Sequence, residues 1–226
     1  MPDIENTDSA RADAMAESEA RKVFYDFIAD VLEKAVPVPG SDYAARVLDS
    51  LRWIIDEDGE GEAALALRAA SDQLLQDPER VQLEMARSRT ALVLGTDPAS
   101  AVKPPFESLY LTETDAPADI AAVSGTYRAF GFELLPGSGN RPDSLEIECR
   151  FMAALCDEES RAADAFDAAA LGHVRDVQKR FMAEHLALWV PTYCEAAAAQ
   201  SASSLLKGVF LFIRDFIRDE EATLCA

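Results

Sequence analysis

The chain lacks most of what enzyme active sites draw on. Its 226 residues contain no GxxxxGK[ST] phosphate loop, no GxGxxG turn, no GxSxG elbow and no HExxH pair. Histidine is confined to His173 and His185. The four cysteines, Cys149, Cys156, Cys194 and Cys225, form no CxxC pair and have no histidine at ligand spacing. These gaps remove the usual entries to nucleotide, hydrolytic and zinc chemistry, so neither a metal site nor a cofactor is expected. Carboxylates are plentiful, but 41 acids generate pairs by chance, and spacing alone nominates no general acid and base. A non-catalytic binding role is the better expectation.

Basic residues are scarce as well, 21 against 41 acids, for a formal charge of -20. The average surface repels phosphate and anionic headgroups, which argues against nucleic acid as a ligand. Arginine outnumbers lysine 16 to 5, a balance that would suit a high-salt cytoplasm and that a GC-rich genome would also favour. The N-terminal stretch is acidic and polar without a basic start or an apolar core, and the expected location is the cytoplasm. No long hydrophobic run occurs: the most apolar segment, Leu205 to Ile217, carries Lys207 and Arg214 and is too short to span a bilayer. Glycine (10) and proline (11) are few and β-branched runs are short, which points to an all-α protein.

What is present is helical periodicity. Residues 1–16 hold few large apolar groups and read as a disordered tail. Val23, Phe24, Phe27, Ile28, Val31 and Leu32 then trace one face of a helix from about Glu17 to Ala35. Further helices are expected from Ser41 to Asp56, from Ala63 to Leu75, and from Asp77-Pro78 toward Gly95. The prolines at 98, 104 and 105 interrupt the pattern, and Asp97 to Leu111 reads as an ordered linker, dividing a helical part at 17–96 from a linker and helical part at 97–226. Beyond it, helices are expected from Pro117 to Glu133, from Asp143 as N-cap through Leu155, over 159–170, over 171–199 with a kink at Pro191, and over 201–219. In the last, Leu205, Leu206, Val209, Phe210, Ile213, Phe216 and Ile217 form a single stripe, read as core. Cys149 and Cys156, seven apart, read as small apolar packing residues.

Three segments carry a resemblance. Pro104-Pro-Phe-Glu-Ser-Leu-Tyr-Leu111 is similar to a PPYES-x-Y-L element, with Phe106 in place of tyrosine. Tyr127-Arg-Ala-Phe-Gly-Phe132 and Pro142-Asp-Ser-Leu-Glu-Ile-Glu-Cys-Arg-Phe-Met152 are similar to Y-x-x-x-G-L followed by P-D-H-[IL]-x-x-E-L-x-F-M. Ser144 stands for the histidine there and Cys149 for a leucine. Phe181-Met-Ala-Glu-His-Leu-Ala-Leu-Trp189 is similar to F-x-x-x-H-L-x-x-W. Together they resemble the TorD/DmsD/NarJ family of molybdoenzyme maturation chaperones.

The resemblance implies two helical parts joined by a linker, without enzymatic activity. It also implies binding of the apo catalytic subunit of a molybdopterin-dependent oxidoreductase, often through a twin-arginine leader peptide, to support cofactor insertion, assembly and export. A monomer or a domain-swapped dimer would be compatible with it. The rival is a helical small-molecule or nucleotide-binding enzyme using the cleft between the parts.

Within this frame Glu107, Tyr110, Tyr127, Phe132, Asp143, Ser144, Glu148 and His185 are the candidate partner-binding residues, because a basic, partly apolar peptide needs carboxylates beside aromatic surface. Each has a plainer reading: the acids as solvated or helix-end charges, the aromatics as core, and His185 as a hydrogen-bonded tie between helices. Gly131, Phe151, Phe181 and Trp189 are assigned structural roles, Gly131 at a left-handed helix end. The partner surface is expected where the Pro104–Leu111 segment, the Asp143 helix start and the Phe181–Trp189 face converge.

Overall fold

Alanine-rich, amphipathic segments punctuated by capping residues set the architecture. The computed structural model describes residues 4–33, 48–49, 51–52, 55–56, 59–97, 100–111, 116–134 and 141–225. Its helices are α1 (Ile4–Glu33), α2 (Glu62–Gln76), α3 (Pro78–Leu92), α4 (Ala116–Ala129), α5 (Leu145–Asp164), α6 (Ala168–Phe181), α7 (Ala187–Gln200) and α8 (Ser204–Cys225). A short 3-10 turn spans Glu107–Leu109 and a π turn spans Met182–Leu186. The fold is all-α; among the described residues no strand occurs, and the extended pairing is a single bridge between Phe106 and Ser144.

Several boundaries differ from the sequence reading. Residues 4–16, read as a tail, form the first turns of α1, in keeping with the helix propensity of Ala10, Ala12, Ala14 and Ala16. The helix expected from Ser41 to Asp56 lies largely outside the described residues, although Leu51 and Ile55 are buried. The loop at 136–140 lies outside them too. Helix α5 runs unbroken through Asp164, where a break after Leu155 was expected, because Cys156, Glu159, Ala162 and Ala163 extend its buried face.

Asp143 does not cap α5. Ser144 does, its hydroxyl accepting from the Ile147 N–H at 3.3 Å, because the Asp143 carboxylate is already taken by Arg141 and Ser108. Asp77 caps α3 as read, accepting from the Arg80 N–H with Pro78 at the first helical position. Gly131 adopts φ +71°, the left-handed helix end its position called for.

The two sequence halves interlock. Helix α1 lies along α5, while α8 packs against α2 and α7, so each half covers apolar surface of the other. One core cluster runs from Tyr25 to Ile217. Helix α8 supplies Leu205, Leu206, Val209, Phe210, Ile213 and Ile217 to it, as the stripe required. Gly208 lets α8 approach α2: a Cβ there would sit 2.8 Å from Leu67 Cδ2 and 3.1 Å from the Leu67 backbone nitrogen.

Candidate functional site

The proline pair at 104–105 holds the linker extended, and two backbone hydrogen bonds then fasten it to the start of α5. The Glu107 N–H donates to the Asp143 carbonyl at 2.8 Å, and the Leu145 N–H donates to the Pro105 carbonyl at 3.1 Å. Side chains reinforce the joint. Ser108 Oγ donates to Asp143 Oδ2 at 2.6 Å, and Arg141 clasps the same carboxylate through Nε and a terminal nitrogen at 3.0 and 2.8 Å. The Arg141 guanidinium also lies 4.1 Å from the centre of the Phe106 ring. Burial by itself would raise the Asp143 pKa, but the hydrogen bonds from Arg141 and Ser108 and the charge of Arg141 hold it below the ordinary value.

The third segment reaches the joint through a widened turn. Pro191 has no N–H to give the Ala187 carbonyl, and the helix opens into the π turn 182–186 just before it. The turn carries His185 inward, where Nδ1 lies 2.8 Å from Glu107 Oε1. One turn further on, Trp189 Nε1 donates to Glu148 Oε2 at 3.3 Å, and its ring stacks on Tyr110 with centroids 5.5 Å apart. Tyr127 donates its hydroxyl to the Pro142 carbonyl at 2.9 Å. Its ring continues an aromatic line through Phe151 and Phe181 to His185, with successive centroids 4.7 to 4.8 Å apart.

Thus Glu107, Asp143, Ser144, Glu148, Tyr127 and His185 do come together with Tyr110, Phe132, Phe151, Phe181 and Trp189 at one junction. They lie beneath its surface: Glu107 is 1% exposed, Asp143 and Glu148 are 0%, and His185 is 9%. Tyr110 and Phe132 are half-buried and reach the surface. Two carboxylate oxygens, Glu107 Oε2 and Glu148 Oε1, are buried with no hydrogen-bond partner among the described residues. Burial first, and then the nearby Glu107 charge, push the Glu148 pKa well above the carboxylate range, and the Trp189 hydrogen bond only partly opposes this. Both the burial and the neighbouring charge favour the protonated form of Glu148.

Arg141, Ser108 and one cleft of this region have no counterpart in the sequence reading. Ser108, inside the first recognised segment, and Arg141, one residue before the Pro142–Met152 segment, hold Asp143 but carry no periodic or spacing signal. A cleft of about 370 Å³ between α4 and α6 is lined by His173, Arg180 and His185 of α6 and its π continuation, with α4 supplying the facing wall. Cys149, Cys156 and Cys194 are buried, and burial pushes the Cys156 thiol up to about 12, in line with packing roles. Among the described residues no group of His, Cys, Asp and Glu is placed to hold a metal ion, and no helix is long and apolar enough to cross a membrane.

No curated protein matches the chain. A family model described as the nitrate reductase delta subunit matches residues 56–195, a span that holds all three converging segments and more than half of the sequence. The chain belongs to the nitrate reductase delta subunit family, the NarJ/TorD type of molybdoenzyme maturation chaperone.

Proposed function

We propose that the chain binds the apo catalytic subunit of a molybdopterin-dependent oxidoreductase in the cytoplasm, engaging its twin-arginine leader, and holds it until cofactor insertion and export. The observation that carries this reading is the family match over residues 56–195, together with the meeting of the linker, the α5 start and the π turn inside that span. The contact surface lies over this junction. Tyr110 and Phe132 supply apolar surface, while the buried Glu107 and Glu148 position His185 and Trp189 beneath it. A chain of charge -20 adds long-range attraction for a basic leader, so affinity falls as salt rises. Residues 97–111 act as the segment linking the two helical parts.

Capture from the native cell followed by identification of the bound protein tests the reading. A molybdoenzyme subunit is expected, and turnover of a small molecule without such a partner would favour the enzyme alternative. Titration of Glu107→Gln/Glu148→Gln with the client's leader peptide then locates the contact. Weaker binding at an unchanged melting temperature supports the junction, and wild-type affinity moves the contact elsewhere.

A further inference from the structure

In a chain with 41 acids against 21 bases, the α4–α6 cleft is an exception. Both histidines of the sequence line it, together with Arg180, and the lining contains one carboxylate, Glu184. Arg180 is exposed and has no ion pair or side-chain hydrogen bond among the described residues. Arg21, Arg141, Arg150, Arg175, Arg214 and Arg218 are all paired with acids. Arg180 shares this lack of an acidic partner with Arg87, and differs from it in lining a cleft beside both histidines.

The imidazoles are held by groups that are not themselves ligands. His173 stacks on Phe130 with centroids 5.4 Å apart and an interplanar angle of 19°. His185 is nine-tenths buried and fixed through Nδ1 by Glu107, and its other ring nitrogen, Nε2, makes no hydrogen bond among the described residues. The π turn that carries His185 is a departure from regular helix of the kind that recurs at functional sites. The lining from α4, including Gly125 and Thr126, and from Phe130 just after it adds no charge.

We propose that this cleft binds an oxyanion, a carboxylate or phosphate group of a small ligand, through Arg180, His173 and Nε2 of His185. The guanidinium offers a fork of N–H donors, and with Nδ1 of His185 donating to Glu107, Nε2 donates in the imidazolium form, a set that suits an oxygen-bearing anion and not a cation or an apolar group. The inference does not depend on the identity of the client: Arg180 and His173 lie outside the linker joint, and His185 is shared with it through Glu107.

The chain's two histidines make the test direct. Full-length protein is titrated with sodium phosphate and, separately, with sodium acetate, with ionic strength held constant by sodium chloride, and the two histidine ring signals are followed by NMR. Both signals are expected to move along one saturable curve for at least one probe. Saturation by phosphate alone assigns a phosphoryl ligand, and saturation by acetate alone a carboxylate. Arg180→Gln should weaken binding about tenfold, with its circular dichroism unchanged. Arg87→Gln, an exposed arginine outside the cleft, should leave binding unaltered. No saturation with either probe, movement of His173 alone, or wild-type affinity in Arg180→Gln would overturn the proposal.

Discussion

At the scale of single residues, Glu148 is the group whose chemistry departs furthest from its sequence. The side chain is fully buried, one oxygen accepts from Trp189, the other has no partner, and a second buried acid stands nearby. Its pKa in the fold is raised, so the folded state binds this proton more tightly than the unfolded chain does. The resulting stabilisation is complete below the unfolded value, near 4.5, and is lost as pH rises toward the folded value. Glu148→Gln keeps the shape and removes the titration. Denaturant unfolding followed from about pH 4 to pH 8 should show wild-type stability falling relative to the mutant as pH increases. Parallel curves would mean that Glu148 ionises freely.

At the scale of elements, the approach of α8 to α2 depends on an absent side chain. Glycine inside a helix ordinarily costs about 1 kcal/mol relative to alanine, yet Gly208 lies within α8, near its start, with the Leu67 side chain and backbone where a Cβ would project. Gly208→Ala should therefore destabilise by about 1–3 kcal/mol, the usual range for an overpacked core, despite the better propensity. A higher melting temperature in the mutant would show that Leu67 gives way. The turn between α5 and α6 shows a related tension. Phe166 takes φ 55°, where glycine is usual, and the Arg11 guanidinium lies 4.7 Å from the centre of its ring.

At the scale of the whole molecule, a buried polar network ties α1 to the C-terminal helices. Arg21 bonds both oxygens of Glu220 at 3.0 and 2.9 Å, Glu159 at 3.0 Å and Gln178 at 3.2 Å, so four helices share one guanidinium. Tyr25 adds a hydrogen bond to Glu220 at 2.8 Å, and Arg175 reaches Glu159 at 2.7 Å. Burial alone would raise the Glu159 pKa, but hydrogen bonds from Arg175 and Gln178 and the charge of Arg21 hold it below the ordinary value. This contribution is therefore present above the unfolded pKa and is lost as pH falls through the folded one. Arg21→Leu strands Glu220 and part of Glu159 in the interior. It should cost about 3–5 kcal/mol near neutral pH, read by chemical denaturation, and a loss under 1 kcal/mol would show that water enters to replace the guanidinium.

The fold class and most helix positions were legible in the residues alone, because apolar periodicity, Asp77-Pro78 and Gly131 act within a few residues of themselves. So was the family, since the three motif segments are local strings. The π turn was not legible. Phe181, His185 and Trp189 look like a regular i, i+4 face, and Pro191 by itself predicts only a kink. Tertiary structure alone decided which acids are buried. Glu107 and Glu148 carry the same charge as the solvated acids around them, and their burial follows from linker hydrogen bonds and facing helices far away in sequence. The same holds for Asp143, whose capping role passed to Ser144 once Arg141 and Ser108 claimed its carboxylate. It holds again for Arg21 and Glu220, 199 residues apart: long-range pairing depends on which helices meet, and no local propensity encodes that.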